Sequence, residues 1–170
     1  MELLRTINEK EVYPDTKSEG GKNKYRKAVR AVVFDNENKV ALLHVTKLNY
    51  YKLPGGGVEG AESDEESLKR ECLEEIGCRV EIVSEIGRVL EHRDKIETDQ
   101  ESFCYLAKLS GKKGKPNLVD YEITDGFETV WVSLDEAVEL AENSEPTSYD
   151  GPFIKIRDLF FLNKAKEMLK

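Results

Sequence analysis

Seventeen consecutive positions, Glu59 to Glu75, hold eight acidic side chains and two basic ones, Lys69 and Arg70. They carry −6 of the chain's net −8, which leaves −2 for everything else. So dense a charge block folds as a packed helix only if its other face is apolar. Leu68, Cys72, Leu73 and Ile76 supply that face at spacings of three and four. Ser63 with Glu66 three residues on fits a capping box, and Gly77 fits the position just past the last turn. The spacing therefore predicts a helix over 63–76, entered from the glycine loop Leu53-Pro54-Gly55-Gly56-Gly57-Val58. On such a helix Glu71, Glu74 and Glu75 share one face within a turn. Their mutual repulsion, a few tenths of a kcal/mol per pair, falls if a hard cation sits between them. Magnesium and manganese prefer such carboxylate oxygens. Arg70, four residues before Glu74, can orient it. A plain solvated acidic face fits the same pattern.

Length and composition remove other classes. At 170 residues and 39% hydrophobic, the chain can bury the core of one ordinary domain. No apolar run approaches the ~20 residues needed to span a bilayer. The beginning, MELLRTINEKEVYPD, has charges where a signal peptide needs an apolar stretch. The three cysteines, Cys72, Cys78 and Cys104, include no C-x-x-C pair and read as buried thiols. A cytoplasmic protein without membrane attachment is expected. The acidic balance disfavours stable wrapping of a nucleic-acid backbone, which needs a basic patch. Lys112, Lys113 and Lys115 read as a solvated loop.

Along the chain, Glu2–Ile7 reads as a short edge strand and 14–23 as a polar surface loop. The runs 25–34 and 40–45, separated by Asp35-Asn36-Glu37-Asn38, suggest a hairpin. Further strands are expected near 79–86, 87–92, 101–109 and 129–132. A short helix to about Glu142 and an amphipathic one over 153–169 follow. Strands and helices without regular alternation suggest an α+β fold or an α/β/α sandwich on a mixed sheet. The expected division is 1–24 as a strand and loop packed on the domain, 25–142 as its core, and 143–170 as a loop and final helix.

From Gly56 the chain reads GGVEGAESDEESLKRECLEEIGC. Gly56, Glu62, Arg70, Glu71, Glu74, Glu75 and Gly77 stand at the seven fixed positions of a signature, and the chain thereby resembles the Nudix (MutT-like) hydrolases. Cys72 and Cys78 fill its two apolar positions. The resemblance implies a Nudix-type α/β/α sandwich and a metal-dependent hydrolase. Its reaction would be attack of water on a pyrophosphate linkage in a nucleoside diphosphate derivative. It also implies Mg2+ or Mn2+ bound by Glu71, Glu74 and Glu75 with the backbone at Gly56. Arg70 and Glu62 would brace the loop and helix. The general base stays open. A further acid outside the signature often completes the metal site; the candidates are Glu122, Asp125 and Glu128, with Glu128 taken as the ligand, and Glu97 and Glu101 are weaker.

Substrate is less legible. Tyr51 and Lys52, with Tyr50, precede the glycine loop and can stack on a base and steer phosphate. Arg30, on an early strand, is a further substrate-binding candidate. His92 with Arg93 reads as a solvated loop, and His44 as a sheet residue. The stretch Ser148–Phe153 can close over a substrate. The expectation is a small-molecule nucleotide, a nucleoside triphosphate or an oxidised one. The alternatives are ADP-ribose, a nucleotide sugar or a dinucleoside polyphosphate, or a Nudix module that binds a nucleotide without catalysis. A homodimer is open.

Overall fold

The computed structural model describes residues 1–16 and 22–170, so half of the loop expected over 14–23 lies outside the described residues. The organising strand is β2 (Lys24–Phe34). Its Val29, Ala31 and Val33 point to one side of the sheet, whereas Val32 and Phe34 point to the other. This alternation with both faces apolar marks a strand covered on both sides. A tight turn joins β2 to β3 (Val40–Val45) as expected. Asp35 Oδ1 accepts hydrogen bonds from the backbone N–H groups of Glu37 and Lys39, which fixes the turn. The hairpin is brief, because only Phe34 and Val40 pair. The main neighbour of β2 is β6 (Thr98–Ser110), parallel to it over the full length of β2.

Two strands expected near 79–86 and 87–92 are one continuous strand, β5 (Arg79–Arg93). Irregularities between Ile82 and Ser84 and between Glu85 and Gly87 absorb the interruption. β1 (Leu3–Asn8) is the edge strand, parallel to β5. On the far side, β3 pairs with both β4 (Tyr50–Lys52) and β7 (Phe127–Val132). The sheet has seven strands, ordered β1-β5-β6-β2-β3-β4 with β7 against β3.

Between α1 (Glu9–Val12) and α3 (Asp120–Asp125), two short helices that the sequence does not announce, runs the charged helix α2 (Asp64–Ile76). It covers one face of the sheet, where Leu68, Cys72 and Ile76 meet Val29, Ala31, Val33 and Leu43. α4 (Leu134–Glu142) and α5 (Gly151–Met168) cover the other, where Ala137, Phe153, Phe161 and Leu162 meet Ile7, Val32 and Leu42. The result is the expected α/β/α arrangement on a mixed sheet. All three cysteines are fully buried and free, with Cys72 and Cys78 packed beneath α2. No helix among the described residues is long and apolar enough to cross a membrane.

Candidate active site

The glycine loop lies along the edge of β2 that β6 leaves free. Val29 N donates to Gly56 O at 2.9 Å, Ala31 N to Pro54 O at 3.0 Å and Val58 N to Lys27 O at 3.1 Å. Gly55 adopts φ +130°, and a Cβ there would strike the Val29 carbonyl. Only glycine meets both conditions, the left-handed backbone and the close approach.

α2 then hangs its carboxylates over this loop. Ser63 caps it, accepting from Glu66 N while Glu66 returns a bond to Ser63 N, and Gly77 ends it in the left-handed conformation. Glu75 faces inward from the last turn and is 2% exposed. Its Oε1 accepts from Lys52 Nζ at 2.6 Å and its Oε2 from Gly55 N at 2.6 Å. A buried carboxylate is tolerable only when held by such donors. Glu71 lies against Gly56, where a Cβ would collide with its carboxylate. Arg70 collects the rest. Its Nη1 donates to Glu71 Oε1 at 2.8 Å and to Glu74 Oε2 at 3.4 Å, its Nε donates to Glu62 Oε1 at 2.8 Å, and its Nη2 donates to Gly57 O at 3.2 Å. The guanidinium holds Glu62 well below the usual carboxylate range, at about 2. Arg70 and Glu62 thus brace loop and helix.

Among the described residues, no group of three His, Cys, Asp or Glu side chains stands close enough together to hold a metal ion as the side chains are placed. The donor chemistry nevertheless fits a hard divalent cation. Glu71, Glu74 and Glu75 supply anionic oxygens on one helix face, and the missing side chain at Gly56 lets the Glu71 carboxylate come down against the loop. The Gly56 carbonyl already accepts from Val29 N.

Strand alternation corrects two expectations. Glu128 pairs with His44 in β7, and His44 stacks on Tyr51 with ring centroids 4.3 Å apart. These three side chains share the face opposite Thr129, whose hydroxyl donates to Glu75 O at 3.3 Å. Glu128 therefore points away from the signature carboxylates, and Tyr51 away from the cleft. Tyr50 and Lys52 are the residues of β4 that line it. Of the outside acids, Glu122 is 4% exposed, and it accepts from Val119 N at 2.9 Å through Oε2 and from Tyr121 Oη at 3.2 Å through Oε1. Desolvation, then the charges of Glu122 and Glu75, raise the Tyr121 phenol above its ordinary range. Glu97 and Glu101 belong to other neighbourhoods, with Glu101 bonded to Tyr25 Oη and Arg88.

A cleft of about 280 Å³ opens beside Lys52, between the non-paired strands β2 and β4. Arg30, the substrate-binding candidate, lines it together with Arg26, Arg93, Arg157, Tyr121 and Phe127. Arg93 is part of strand β5 and 6% exposed, so the solvated-loop expectation fails there. Arg157 is 0% exposed in a helix that reads as amphipathic, and sequence reasoning missed it. Ser148 and Asp150 reach the rim, the latter bonded to Arg93 Nη1 at 2.6 Å. Lys113 does not belong here; it pairs with Asp35 and lies over the Trp131 ring.

A Gly-Gly loop, an acidic helix over it and a mixed sheet between helical layers define the class. Residues 24–150 match the NUDIX domain, and the chain belongs to the Nudix family. It is 30% identical over 128 residues to an RNA pyrophosphohydrolase of Sulfurovum sp. (strain NBC37-1), covering 68% of this chain and 82% of that one. It is 29% identical over 112 residues to a putative 8-oxo-dGTP diphosphatase of Bacillus subtilis (strain 168), covering 64% and 67%. In fold it resembles the crystal structure of a MutT protein from Methanosarcina mazei Go1, with a TM-score of 0.61 at 20% identity, covering 89% of this chain and all of that one. The chain is a Nudix pyrophosphohydrolase.

If Glu122 is the acid that works with the signature, Glu122→Gln lowers kcat about 100-fold, while Glu128→Gln stays within about twofold of wild type. Steady-state assays of the two variants check this, and the reverse order would restore Glu128.

Proposed function

We propose that this enzyme hydrolyses the pyrophosphate linkage of a nucleotide carrying a triphosphate, using Mg2+ or Mn2+. One observation carries the reading: the signature carboxylates are held over the glycine loop, and Lys52, which bonds Glu75, also lines a cleft of arginines and aromatic rings. The names of the two sequence relatives, an RNA pyrophosphohydrolase and a putative 8-oxo-dGTP diphosphatase, support a substrate with a nucleotide pyrophosphate linkage.

Glu71, Glu74 and Glu75, with Glu122, would hold the metal. When bound, it neutralises charge on the phosphoryl oxygens and acidifies a water. The chain's own residues do the rest. Arg70 keeps Glu71 and Glu74 from swinging apart, and Lys52 and Gly55 N fix Glu75. One of these carboxylates accepts the proton of the attacking water. Tyr121 and Phe127, in edge contact at 6.2 Å, offer a surface for the base. Lys52, 4.9 Å from the Phe127 ring centroid, sits between that surface and the carboxylates and can meet a phosphate oxygen.

A panel of nucleoside triphosphates, ADP-ribose and a dinucleoside tetraphosphate tests this. Turnover of a triphosphate is expected with magnesium, lost in EDTA and recovered on adding excess magnesium or manganese. No turnover on any compound, with tight binding of one, would establish a binding module in place of an enzyme.

A further inference from the structure

Along β4 and the loop after it, three alternate backbone N–H groups are met by side chains instead of a strand. Tyr51 N donates to Ser144 Oγ at 3.2 Å, Leu53 N to Asp158 Oδ2 at 2.8 Å and Gly55 N to Glu75 Oε2 at 2.6 Å. β4 ends the sheet order and pairs with β3. Leu53 is 0% exposed, and a buried N–H needs a partner. The three acceptors come from three places: just past α4, from α5 and from α2. Glu75 belongs to the signature, whereas Asp158 has no part in the reaction so far.

A carboxylate is a demanding acceptor for this position. Asp158 is 1% exposed, and a buried carboxylate persists only where donors hold it. Two donors do: Leu53 N on Oδ2, and Arg157 Nε on Oδ1 at 2.7 Å. Arg157 Nη1 stands 3.6 Å from Glu91 Oε1, and Glu91 accepts from Arg93 Nη2 and Gln100 Nε2, each at 2.8 Å. A chain of buried polar groups therefore runs from β5 and β6, through α5, to the first residue of the glycine loop. Apolar packing alone does not call for it, since Phe153, Phe161 and Leu162 already seat α5 on the sheet. The loop is clamped from both helical layers: Asp158 holds Leu53 from one, and Glu75 holds Gly55 from the other. The residues on either side of this anchor, Lys52 and Gly55, are the two donors to Glu75.

We propose that Asp158, oriented by Arg157, is a positioning residue of this enzyme. It fixes the glycine loop from the layer opposite α2, and through Lys52 and Gly55 it sets where the Glu75 carboxylate stands. A misplacement of about 1 Å in such a site can cost about 100-fold in rate. α5 follows residues 24–150, so the site depends on a helix outside the part of the chain that matches the family. The effect on rate rests on the hydrolase reading above; the clamp on the loop does not.

Asp158→Asn tests this, because it keeps the volume and breaks the anchor. The charge-assisted bond to Arg157 Nε claims the amide oxygen, which turns the NH2 toward Leu53 N, donor against donor. On a nucleoside triphosphate kcat should fall at least about tenfold, with KM within about threefold of wild type. Amide hydrogen exchange in EDTA reads the loop without turnover. Gly55, whose own partner Glu75 is untouched, should exchange at least about tenfold faster. Ile7→Ala is the control: Ile7 is 0% exposed in β1, at the other end of the sheet order, and its loss leaves a cavity without touching the loop. Assayed well below its melting temperature, it should keep the wild-type kcat and Gly55 exchange. Unchanged kcat or unchanged Gly55 exchange in Asp158→Asn overturns the proposal. Equal changes in Ile7→Ala also overturn it, since they would mark general loosening. If wild type hydrolyses nothing, the hydrolase reading falls and the exchange rates decide the clamp alone. If Asp158→Asn does not fold, exchange of wild type in rising denaturant decides. The Leu53 and Gly55 amides should then open together with those of α5, and opening ahead of α5 overturns the proposal.

Discussion

Glu75→Gln is expected to lower kcat for triphosphate hydrolysis about 1000-fold, equivalent to about 4 kcal/mol of transition-state stabilisation. The substitution is close to isosteric. Its amide oxygen can still accept from Gly55 N, which keeps the loop in register, but its NH2 then faces Lys52 Nζ donor to donor, so a lowered melting temperature accompanies the loss of activity. What it removes is the negative charge, needed both for a divalent cation and for accepting a proton. Glu71→Gln should follow closely, because that carboxylate lies against Gly56 and is held by Arg70. The check is a kcat measurement at saturating magnesium beside a thermal melt. A variant that melts like wild type and still turns over at more than a tenth of its rate would remove Glu75 from the chemistry.

Arg157→Met should cause the largest loss of stability, about 3–5 kcal/mol, or roughly 10 °C in Tm. Arg157 is buried completely beside Asp158 and Glu91, which are 1% and 0% exposed. Methionine fills much of the volume but leaves two carboxylates without their neighbouring charge. Arg93 still serves Glu91 through Oε2, and Leu53 N still serves Asp158 through Oδ2 at 2.8 Å. These bonds set the loss at the lower end of the range if the site relaxes. A melt within about 2 °C of wild type would show that the Arg157 charge does not stabilise Asp158 and Glu91.

The parts that were legible in the sequence are the parts written locally. The capping box at Ser63, the apolar stripe on α2 and the stop at Gly77 lie within fifteen residues, and the helix forms as they specify. The catalytic candidates inherit that legibility, since helix spacing alone puts Glu71, Glu74 and Glu75 together. The cleft was not written locally. Arg30, Arg93 and Arg157 come from β2, β5 and α5; Arg30 alone stands out in the sequence as a candidate, and the other two read as ordinary exposed charges. Only the sheet order brings them to one place. Glu128 and Tyr51 were misassigned for a smaller reason. In Phe127-Glu128-Thr129-Val130-Trp131, Phe127, Thr129 and Trp131 pack toward α2. The period of two puts Glu128 on the other face, and the same rule separates Tyr51 from Tyr50 and Lys52. That signal was available in the sequence. The burial of Glu122 was not, because α3 is too short to announce itself by periodicity.

On the function proposed above, one acidic helix over one glycine loop makes this chain a metal-dependent hydrolase of a nucleotide anhydride. Phosphorus NMR of a nucleoside triphosphate incubated with the protein tests it most directly. Mononucleotide and pyrophosphate resonances should grow only after magnesium is added, and neither should grow above background with Glu75→Gln. Equal growth in EDTA, or in Glu75→Gln, would contradict the claim.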